Sequence, residues 1–413
     1  MKSDYKRLGD YIQPVEERNK ELRDIPLMGL SISKEFIPSI ANTIGTDMST
    51  YRIIKRNHFA YGPVTSRNGE KITIALFDDY DEALISQAYI PFEVSDTNRL
   101  MPEYLIMWFR RPEFDRYARF MSHGSAREIF AWEDMCNVSL PVPMIEMQRE
   151  IVTEYNAIQN RIILNNRLIQ KLEETAQAIY KQWFVEFEFP DENRKPYKSN
   201  GGEMIESELG EIPKGWNIGR ISDLGLVKHG YAFKGENFTE DETPLVLVSP
   251  GNFKISGGFN FEKNKYYVGK CLKDYILFEN DLIVNMTDLS KNGDTLGNTA
   301  LIPNVSFKTL LHNQRVGKFE LKDTIYTFYL FFLTNQKEYK HFILGTATGT
   351  TVRHTSPDRI GGFQVIIPSE REIGKFNELI KPLILLINQN PSQQYKINEL
   401  KDLLLSKLTT IEN

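Results

Sequence analysis

Between Pro143 and Trp183 the apolar side chains recur at alternating steps of four and three residues. They fall on Ile151, Tyr155, Ile158 and Ile162, then, past a polar Asn165, on Ile169, Leu172, Ala176, Ile179 and Trp183. Spacing of that kind draws one stripe along an α-helix, and over this length it predicts a helix packed on a second long helix. No Pro or Gly interrupts the run, and Gln, Glu, Arg, Asn and Lys fill the outer face. At a rise of ~1.5 Å per residue, about forty residues make a rod of roughly 60 Å. The end of the chain supplies the partner. Ile373, Phe376, Ile380, Leu383 and Ile387 begin a second stripe, and Ile397, Leu400, Leu404, Leu408 and Ile411 finish it. Between the two parts stands Pro391, which lacks a backbone donor and should kink or break the second helix.

The two helices hold the same place in two halves of the chain. In the first half Gly124-Ser-Ala-Arg-Glu-Ile leads to Trp132-Glu-Asp, Leu140-Pro-Val-Pro143 and Gln148-Arg-Glu-Ile151. In the second, Gly349-Thr-Thr-Val-Arg-His leads to Pro357-Asp-Arg, Val365-Ile-Ile-Pro368 and Glu370-Arg-Glu-Ile373. Upstream, Ser86-Gln-Ala-Tyr-Ile-Pro-Phe-Glu-Val94 answers Asn313-Gln-Arg-Val-Gly-Lys-Phe-Glu-Leu321, Asn68-Gly69 answers Asn292-Gly293, and Leu8-Gly-Asp-Tyr-Ile12 answers Ile221-Ser-Asp-Leu-Gly225. An offset of this size is far beyond solenoid or propeller repeats, which leaves a duplicated unit of globular domain plus long helix. The expected fold class is α+β: two similar mixed α/β domains in tandem, each followed by a long helix, the helices packed as an antiparallel coiled coil. The boundaries read as a first domain over 1–142, its helix over 143–190, a Pro, Asn, Gly and Lys rich linker over 191–216, a second domain over 217–368 and its helix over 369–413. Strands are expected over 71–77, 88–94, 243–249, 275–285, 299–303 and 315–321, and an amphipathic helix over 102–121 interrupted at Pro112.

The chain has 413 residues, 41% of them hydrophobic, enough to bury two or three cores. Its longest apolar runs fall far short of the roughly twenty residues that span a bilayer, so no membrane partner is expected. The two cysteines, Cys136 and Cys271, lie in different halves and offer no disulfide framework, which fits a cytoplasmic location. The net charge of −5 argues against a nucleic-acid partner until its distribution is considered. Arg52, Lys55, Arg56, Arg67 and Lys71 face one acid, Glu70, with aromatic residues interleaved, and Arg110, Arg111, Arg116, Arg119 and Arg127 follow. The second domain gathers Lys254, Lys263, Lys265, Lys270 and Lys273, then Lys291, Lys308, Arg315 and Lys318. Such clusters are either a solvated face or a surface that tracks phosphates. Arg353 and His354 lie in a Gly and Thr rich loop that suits either an ordinary turn or a set of donors to DNA. On charge and loop chemistry, the expected DNA contacts are Arg52, Lys55, Arg67, Asn68, Lys71 and Arg127 in the first domain. In the second they are Lys254, Lys291, Asn292, Arg315, Thr351, Arg353 and His354.

Catalytic chemistry is not legible. Gly230-Tyr-Ala-Phe-Lys-Gly235 is followed by Glu236 and lacks the Lys of a phosphate-binding loop, and no Gly-x-Gly pair follows a strand to hold a nucleotide. Asn390-Pro-Ser lacks the second Pro and the aromatic of the motif with which amino-methyltransferases grip a flipped base. Glu320-Leu-Lys322 and Glu399-Leu-Lys401 resemble half of a nuclease metal motif, yet in a chain with 25% charged residues such tripeptides arise by chance. The six histidines show no pairing with Asp and Ser or Cys, and no metal site is expected.

Two similar non-catalytic domains on long helices suit a protein that reads two short sequences at a fixed separation on duplex DNA. The residues also carry a resemblance. Ala176-Gln-Ala-Ile-Tyr-Lys-Gln-Trp-Phe-Val-Glu-Phe-Glu-Phe-Pro190, Glu208-Leu-Gly-Glu-Ile-Pro-Lys-Gly-Trp216, the Leu-Pro-Val-Pro and Gln-Arg-Glu-Ile helix entry, and Glu399-Leu-Lys-Asp-Leu-Leu-Leu-Ser-Lys-Leu408 resemble the specificity subunits of bacterial type I restriction-modification enzymes. That resemblance implies two target-recognition domains, each reading half of a bipartite site in double-stranded DNA. It further implies two methyltransferase (modification) subunits docked on the helix regions and motor-nuclease (restriction) subunits beside them. S-adenosylmethionine, ATP and Mg would belong to those partners, with no cofactor in this chain. The first domain departs from the pattern in lacking an Ile-Pro-x-Gly-Trp lead-in. Two other classes stay open: a DNA-processing enzyme with an unfamiliar site, and a scaffold that binds only proteins through its helix seams.

Overall fold

The computed structural model describes residues 5–66, 68–124, 127–305 and 307–410, so the expectations placed on Arg67 and Ile411 lie outside the described residues. The chain forms two compact units, Met1–Arg161 with Ile397–Asn413, and Ile162–Lys396. Both are mixed helix and strand. Among the described residues no helix is long and apolar enough to cross a membrane.

In unit 1 an antiparallel sheet runs in the order Ile12–Pro14, Ile90–Val94, Phe59–Tyr61, Ile74–Leu76. Every residue of Phe59-Ala-Tyr61 is buried because both faces of the sheet are covered. Phe59 and Tyr61 point into a core with Phe92, Phe109 and Phe130, the Phe59 ring stacked on Phe92 at 4.9 Å. Ala60, one pleat away, faces a second cluster with Phe77 and with Ile54 and Ile85 of the second sheet. That sheet runs Phe36–Pro38, Leu27–Leu30, Glu82–Ile85, Arg52–Lys55, and its Leu27–Leu30 and Glu82–Ile85 strands are parallel.

Unit 2 has the same plan. Its first sheet runs Gly225–His229, Val316–Leu321, Leu282–Asn285, Thr299–Leu301. Its second contains the parallel pair Leu245–Val248 and Thr309–His312, flanked by Lys265–Tyr267 and Ile276–Leu277. A short pair closes each unit: Tyr5–Arg7 on Ser139–Pro141, and Asn217–Arg220 on Gln364–Ile367. Several expected strands are shorter than their apolar runs. The 71–77 run forms a strand only over Ile74–Leu76, and 275–285 divides at a turn where Asn280 takes a φ of 67°.

The first long helix covers Ile145–Phe184. Its start is fixed by Gln148, fully buried, whose amide donates to the carbonyls of Arg99 (2.9 Å) and Pro143 (2.8 Å) and accepts from Met101 N (2.9 Å). It ends where Phe187 adopts a left-handed φ of 59° and Glu188 N bonds back to the Gln182 carbonyl. The helix therefore stops at Phe184, short of the expected limit at residue 190. Val152 and Tyr155 belong to the unit 1 core, and Ala176, Tyr180, Trp183 and Phe184 to the unit 2 core.

The second long helix, Glu370–Lys407, continues through both Pro382 and Pro391. Of the expected kink or break at Pro391 the break is absent, and tertiary bonds flank the proline on either side. Asn304 N donates to the Asn388 carbonyl (3.1 Å), Ser392 Oγ donates to the Asn304 carbonyl (2.6 Å), and Asn388 Nδ2 reaches Asn280 Oδ1 (2.8 Å). Ile373, Phe376, Ile380 and Ile384 join the unit 2 core, and Leu405 and Leu408 the unit 1 core. Of the expected stripe residues, Tyr155, Ala176, Trp183, Ile373, Phe376, Ile380 and Leu408 are buried. Ile151, Ile158, Ile162, Ile169, Leu172, Ile179, Leu383, Ile387 and Leu404 are half-buried. Leu400 is a correction: it is 56% exposed, because the buried line near the C-terminus passes through Leu405 and Leu408.

The expected linker is also corrected in part. Met204–Ile205 pairs with Ile212–Pro213, and Trp216 is buried with its ring stacked on Phe189 at 5.1 Å. The Phe-Glu-Phe-Pro tail of the helix and the Pro-Lys-Gly-Trp stretch thus form one aromatic cluster, which the polar composition between them conceals.

Candidate nucleic-acid interface

In unit 2 a concavity of about 560 Å³ opens where four segments meet: 229–232 at the end of the first strand, 286–287 after the third, Gln314-Arg315 in the turn before the Val316–Leu321 strand, and His354-Thr355. Backbone bonds tie these walls together. Tyr231 N donates to the His312 carbonyl, Met286 N to the Arg315 carbonyl (3.0 Å), and Thr355 N to the Met286 carbonyl (3.1 Å). Gly230 is required here, since a Cβ would lie 2.3 Å from the carbonyl oxygens of His312 and Asn313. His312 itself is structural. It is buried, its pKa is pushed down to about 4 by desolvation, and its Nε2 lies 2.8 Å from the Val316 carbonyl.

The lining is polar and basic. His354 is exposed and its Nδ1 lies 3.2 Å from Thr287 Oγ1. Arg315 is exposed, and its guanidinium makes no ion pair among the described residues. Tyr231, half-exposed, leans on Phe233 and Tyr275 with centroids 5.1 and 5.2 Å away. Beside the concavity runs the 288–296 loop, and the buried Asp288 organises it. One carboxylate oxygen accepts from Ser290 N (2.6 Å), the other from Thr295 N (2.5 Å) and Thr295 Oγ1 (2.7 Å). Burial would raise this carboxyl, but the Ser290 and Thr295 bonds hold it below its ordinary value. Lys340, its own pKa lowered by burial, donates to the carbonyls of Asp294 (2.8 Å) and Leu296 and to Asn298 Oδ1 (2.7 Å). Arg353 Nη2 reaches the Lys291 carbonyl at 3.2 Å, pinning the 348–354 pair to the loop. Lys291, Asn292 and Thr351 stay exposed. Gly349, at φ 87°, is confined to glycine: a Cβ would meet the Val352 carbonyl at 2.0 Å. Gly349→Ala should therefore displace the Arg353 and His354 pair and lower folding stability by about 1–3 kcal/mol, measured as a fall in the denaturation midpoint.

Unit 1 carries a counterpart of about 260 Å³, lined by Pro63, Val64, Asn68, Ala88, Tyr89 and Arg127 among others. Phe130 N donates to the Pro63 carbonyl (2.8 Å) as Thr355 N does to Met286, and His123 and Ile129 exchange backbone bonds as Thr348 and His354 do. Asn68 Nδ2 donates to the Val64 carbonyl (3.2 Å), while Lys71 and Arg127 are exposed.

Several expected contacts lie elsewhere, and pairing explains why. Arg52 is half-buried at the start of the edge strand Arg52–Lys55, its pKa lowered by desolvation, and its guanidinium reaches the Val15 carbonyl at 3.5 Å. Lys55 bonds Glu17 at 2.6 Å, and Lys254 reaches Glu173 at 3.3 Å. The arginine-rich segment is likewise committed. Arg111 lies over the Trp108 ring at 4.3 Å and bridges Glu113, Arg119 pairs with Glu128, and Arg110 donates to the Tyr155 hydroxyl. Lys308 and Lys318 are held by Glu242 and Asp281. Charge clusters along the sequence overstated the free positive surface. His229, Tyr231, Gln314 and Tyr89 were missed as lining residues, although Gln314 and Tyr89 stand inside the repeated fragments.

Comparison with known proteins follows the same lines. Residues 213–394 match the family described as type I restriction modification DNA specificity domain. The chain is 27% identical over 316 residues to the type I restriction enzyme MjaIX specificity subunit of Methanocaldococcus jannaschii, covering 75% of this chain and 68% of that protein. It is 20% identical over 422 residues to the type I restriction enzyme HindI specificity subunit of Haemophilus influenzae, covering 86% of each. In fold it is similar to the type I restriction-modification system S subunit from M. genitalium, with a TM-score of 0.58 at 12% identity over 99% of this chain and 96% of the other.

Proposed function

We propose, from the premise that this chain belongs to the type I restriction-modification specificity-subunit family, that it is the non-catalytic reader of a bipartite DNA site. Each unit reads one half-site in double-stranded DNA. The observation that carries this reading is the repetition of one strand order in both units, with a polar and basic concavity at the same junction in each. The recognition domains are 1–142 and 217–368, joined through the 191–216 segment, and the helix regions 143–190 and 369–413 form an antiparallel coiled coil. Base contacts come from Asn68 and Arg127 in one unit and Arg315 and His354 in the other, with Lys71, Lys291, Asn292, Thr351 and Arg353 around them. Two methyltransferase subunits dock on the helices, and motor-nuclease subunits join them. S-adenosylmethionine, ATP and Mg belong to those partners, and the complex works in the cytoplasm.

The test is co-expression with the neighbouring genes, pull-down, and selection from a randomised duplex library. A split motif of two short half-sites recovered with a methyltransferase supports the reading, whereas a partner without DNA preference returns the chain to the scaffold class. A separate outcome concerns the helices as a ruler. Inserting four residues near Asn165 adds about 6 Å of helical rise and should lengthen the gap between half-sites by roughly one or two base pairs, leaving their sequences unchanged. Altered half-site sequences at an unaltered gap would refute the ruler.

A further inference from the structure

The two concavities share a turn that is built alike and filled differently. In Ser86-Gln-Ala-Tyr89 and Asn313-Gln-Arg-Val316 the fourth N–H donates to the first carbonyl, at 3.1 and 3.0 Å. The first side chain also accepts from the third N–H in each, Ser86 Oγ from Ala88 N at 3.3 Å and Asn313 Oδ1 from Arg315 N at 3.1 Å. The second position is an exposed glutamine in both, Gln87 and Gln314. The third is Ala88 in unit 1 and Arg315 in unit 2. On the facing wall the difference reverses. The segment closed by His123 and Ile129 carries Arg127 at the place where the segment closed by Thr348 and His354 carries Val352. Each concavity thus presents an exposed arginine without an ion pair among the described residues, and the two arginines rise from opposite walls.

We propose that the third position of this turn is a specificity-determining position: Arg315 selects a guanine in the half-site read by unit 2, while Ala88 leaves guanine selection in unit 1 to Arg127 on the other wall. A guanidinium fork matches the O6 and N7 acceptors of guanine in the major groove, a pairing that needs a fixed root. Arg315 has that root, because its carbonyl accepts from Met286 N, the residue directly after the Leu282–Asn285 strand, and its N–H donates to Asn313 Oδ1. Its neighbours Gln314, Tyr231 and His354 offer base-edge donors and acceptors and no carboxylate that would neutralise it. The inference rests on the reading that each unit recognises one half-site.

The experiment uses the full chain with its co-purified methyltransferase subunit and selection from a randomised duplex library. The parent should return a split motif with an invariant guanine in each half, and the variants show which of the two depends on Arg315. R315A should lose preference for that guanine by on the order of ten- to a hundredfold at that position alone, and R315Q should turn the preference toward adenine. A88R should add a guanine requirement to the opposite half-site. If R315A instead weakens all sequences evenly, or leaves the motif intact, Arg315 is a phosphate contact or a bystander and the proposal is overturned. A parent chain that selects no split motif overturns the half-site reading itself, and the inference with it.

Discussion

Phe376→Ala lowers the stability of unit 2 by about 3–5 kcal/mol, seen as a fall in the denaturation midpoint at an unchanged slope. Phe376 is fully buried, and its ring lies 4.8 Å from Phe184, 5.9 Å from Trp183, 6.1 Å from Phe332 and 6.4 Å from Tyr180 between centroids. Those rings come from the first long helix and from the Thr327–Leu333 helix, while Phe376 belongs to the second long helix. Elements anchored at so many other points cannot all move into the vacated space, so a cavity persists and its cost adds to the lost burial. Leu400→Ala is the internal comparison. On the seam reading it removes a packed residue, but at 56% exposure it should change stability by no more than about 0.5 kcal/mol. Equal losses from the two variants would mean that the aromatic cluster is not where the helices are held.

The contrast between those two residues shows what the sequence carried and what it did not. Helical periodicity placed both long helices because a stripe spaced by three and four residues is a property of the chain itself. It erred by one position at Leu400 because 3.6 residues per turn lets a stripe drift, and only the packed neighbours decide whether Leu404 or Leu405 faces inward. That the helix does not break at Pro391 has a similar reason. The missing donor is local, whereas the bonds from Asn304 and Ser392 that hold the helix across it are tertiary. The likeness of strand order in the two units left a trace in the sequence because the recurring fragments sit at the joints of the fold: the 86–89 and 313–316 turns, and the glycines Gly124 and Gly349 whose positive φ no other residue adopts cheaply. Charge was the least reliable guide. Arg52, Lys55 and Lys254 stand in basic runs, yet each is bonded to a carbonyl or carboxylate remote in sequence, and such pairing is invisible in composition.

Asp288→Asn should cost about 2–4 kcal/mol and loosen the 288–296 loop. Both carboxylate oxygens accept, one from Ser290 N and the other from Thr295 N and Oγ1. An amide replaces one acceptor with an N–H donor, so in either orientation a donor faces a donor in a site closed to water. The pH dependence carries the same signature. With its folded pKa held below the ordinary range by those bonds, the carboxylate contributes stability fully above about pH 4 and loses it as pH falls through the lower folded value. The variant has no such group, so its stability relative to the parent should recover at the acid end. Denaturation midpoints at pH 7 and along a series toward pH 3 measure both effects. Because Lys291 and Asn292 sit on this loop and Arg353 is bonded to it, the proposal that unit 2 reads one half-site predicts that this half loses selectivity while the other keeps its own. A parent-like midpoint with a superimposable acid limb would show that the loop is held by Lys340 and the backbone, and would remove Asp288 from the account of how this surface keeps its shape.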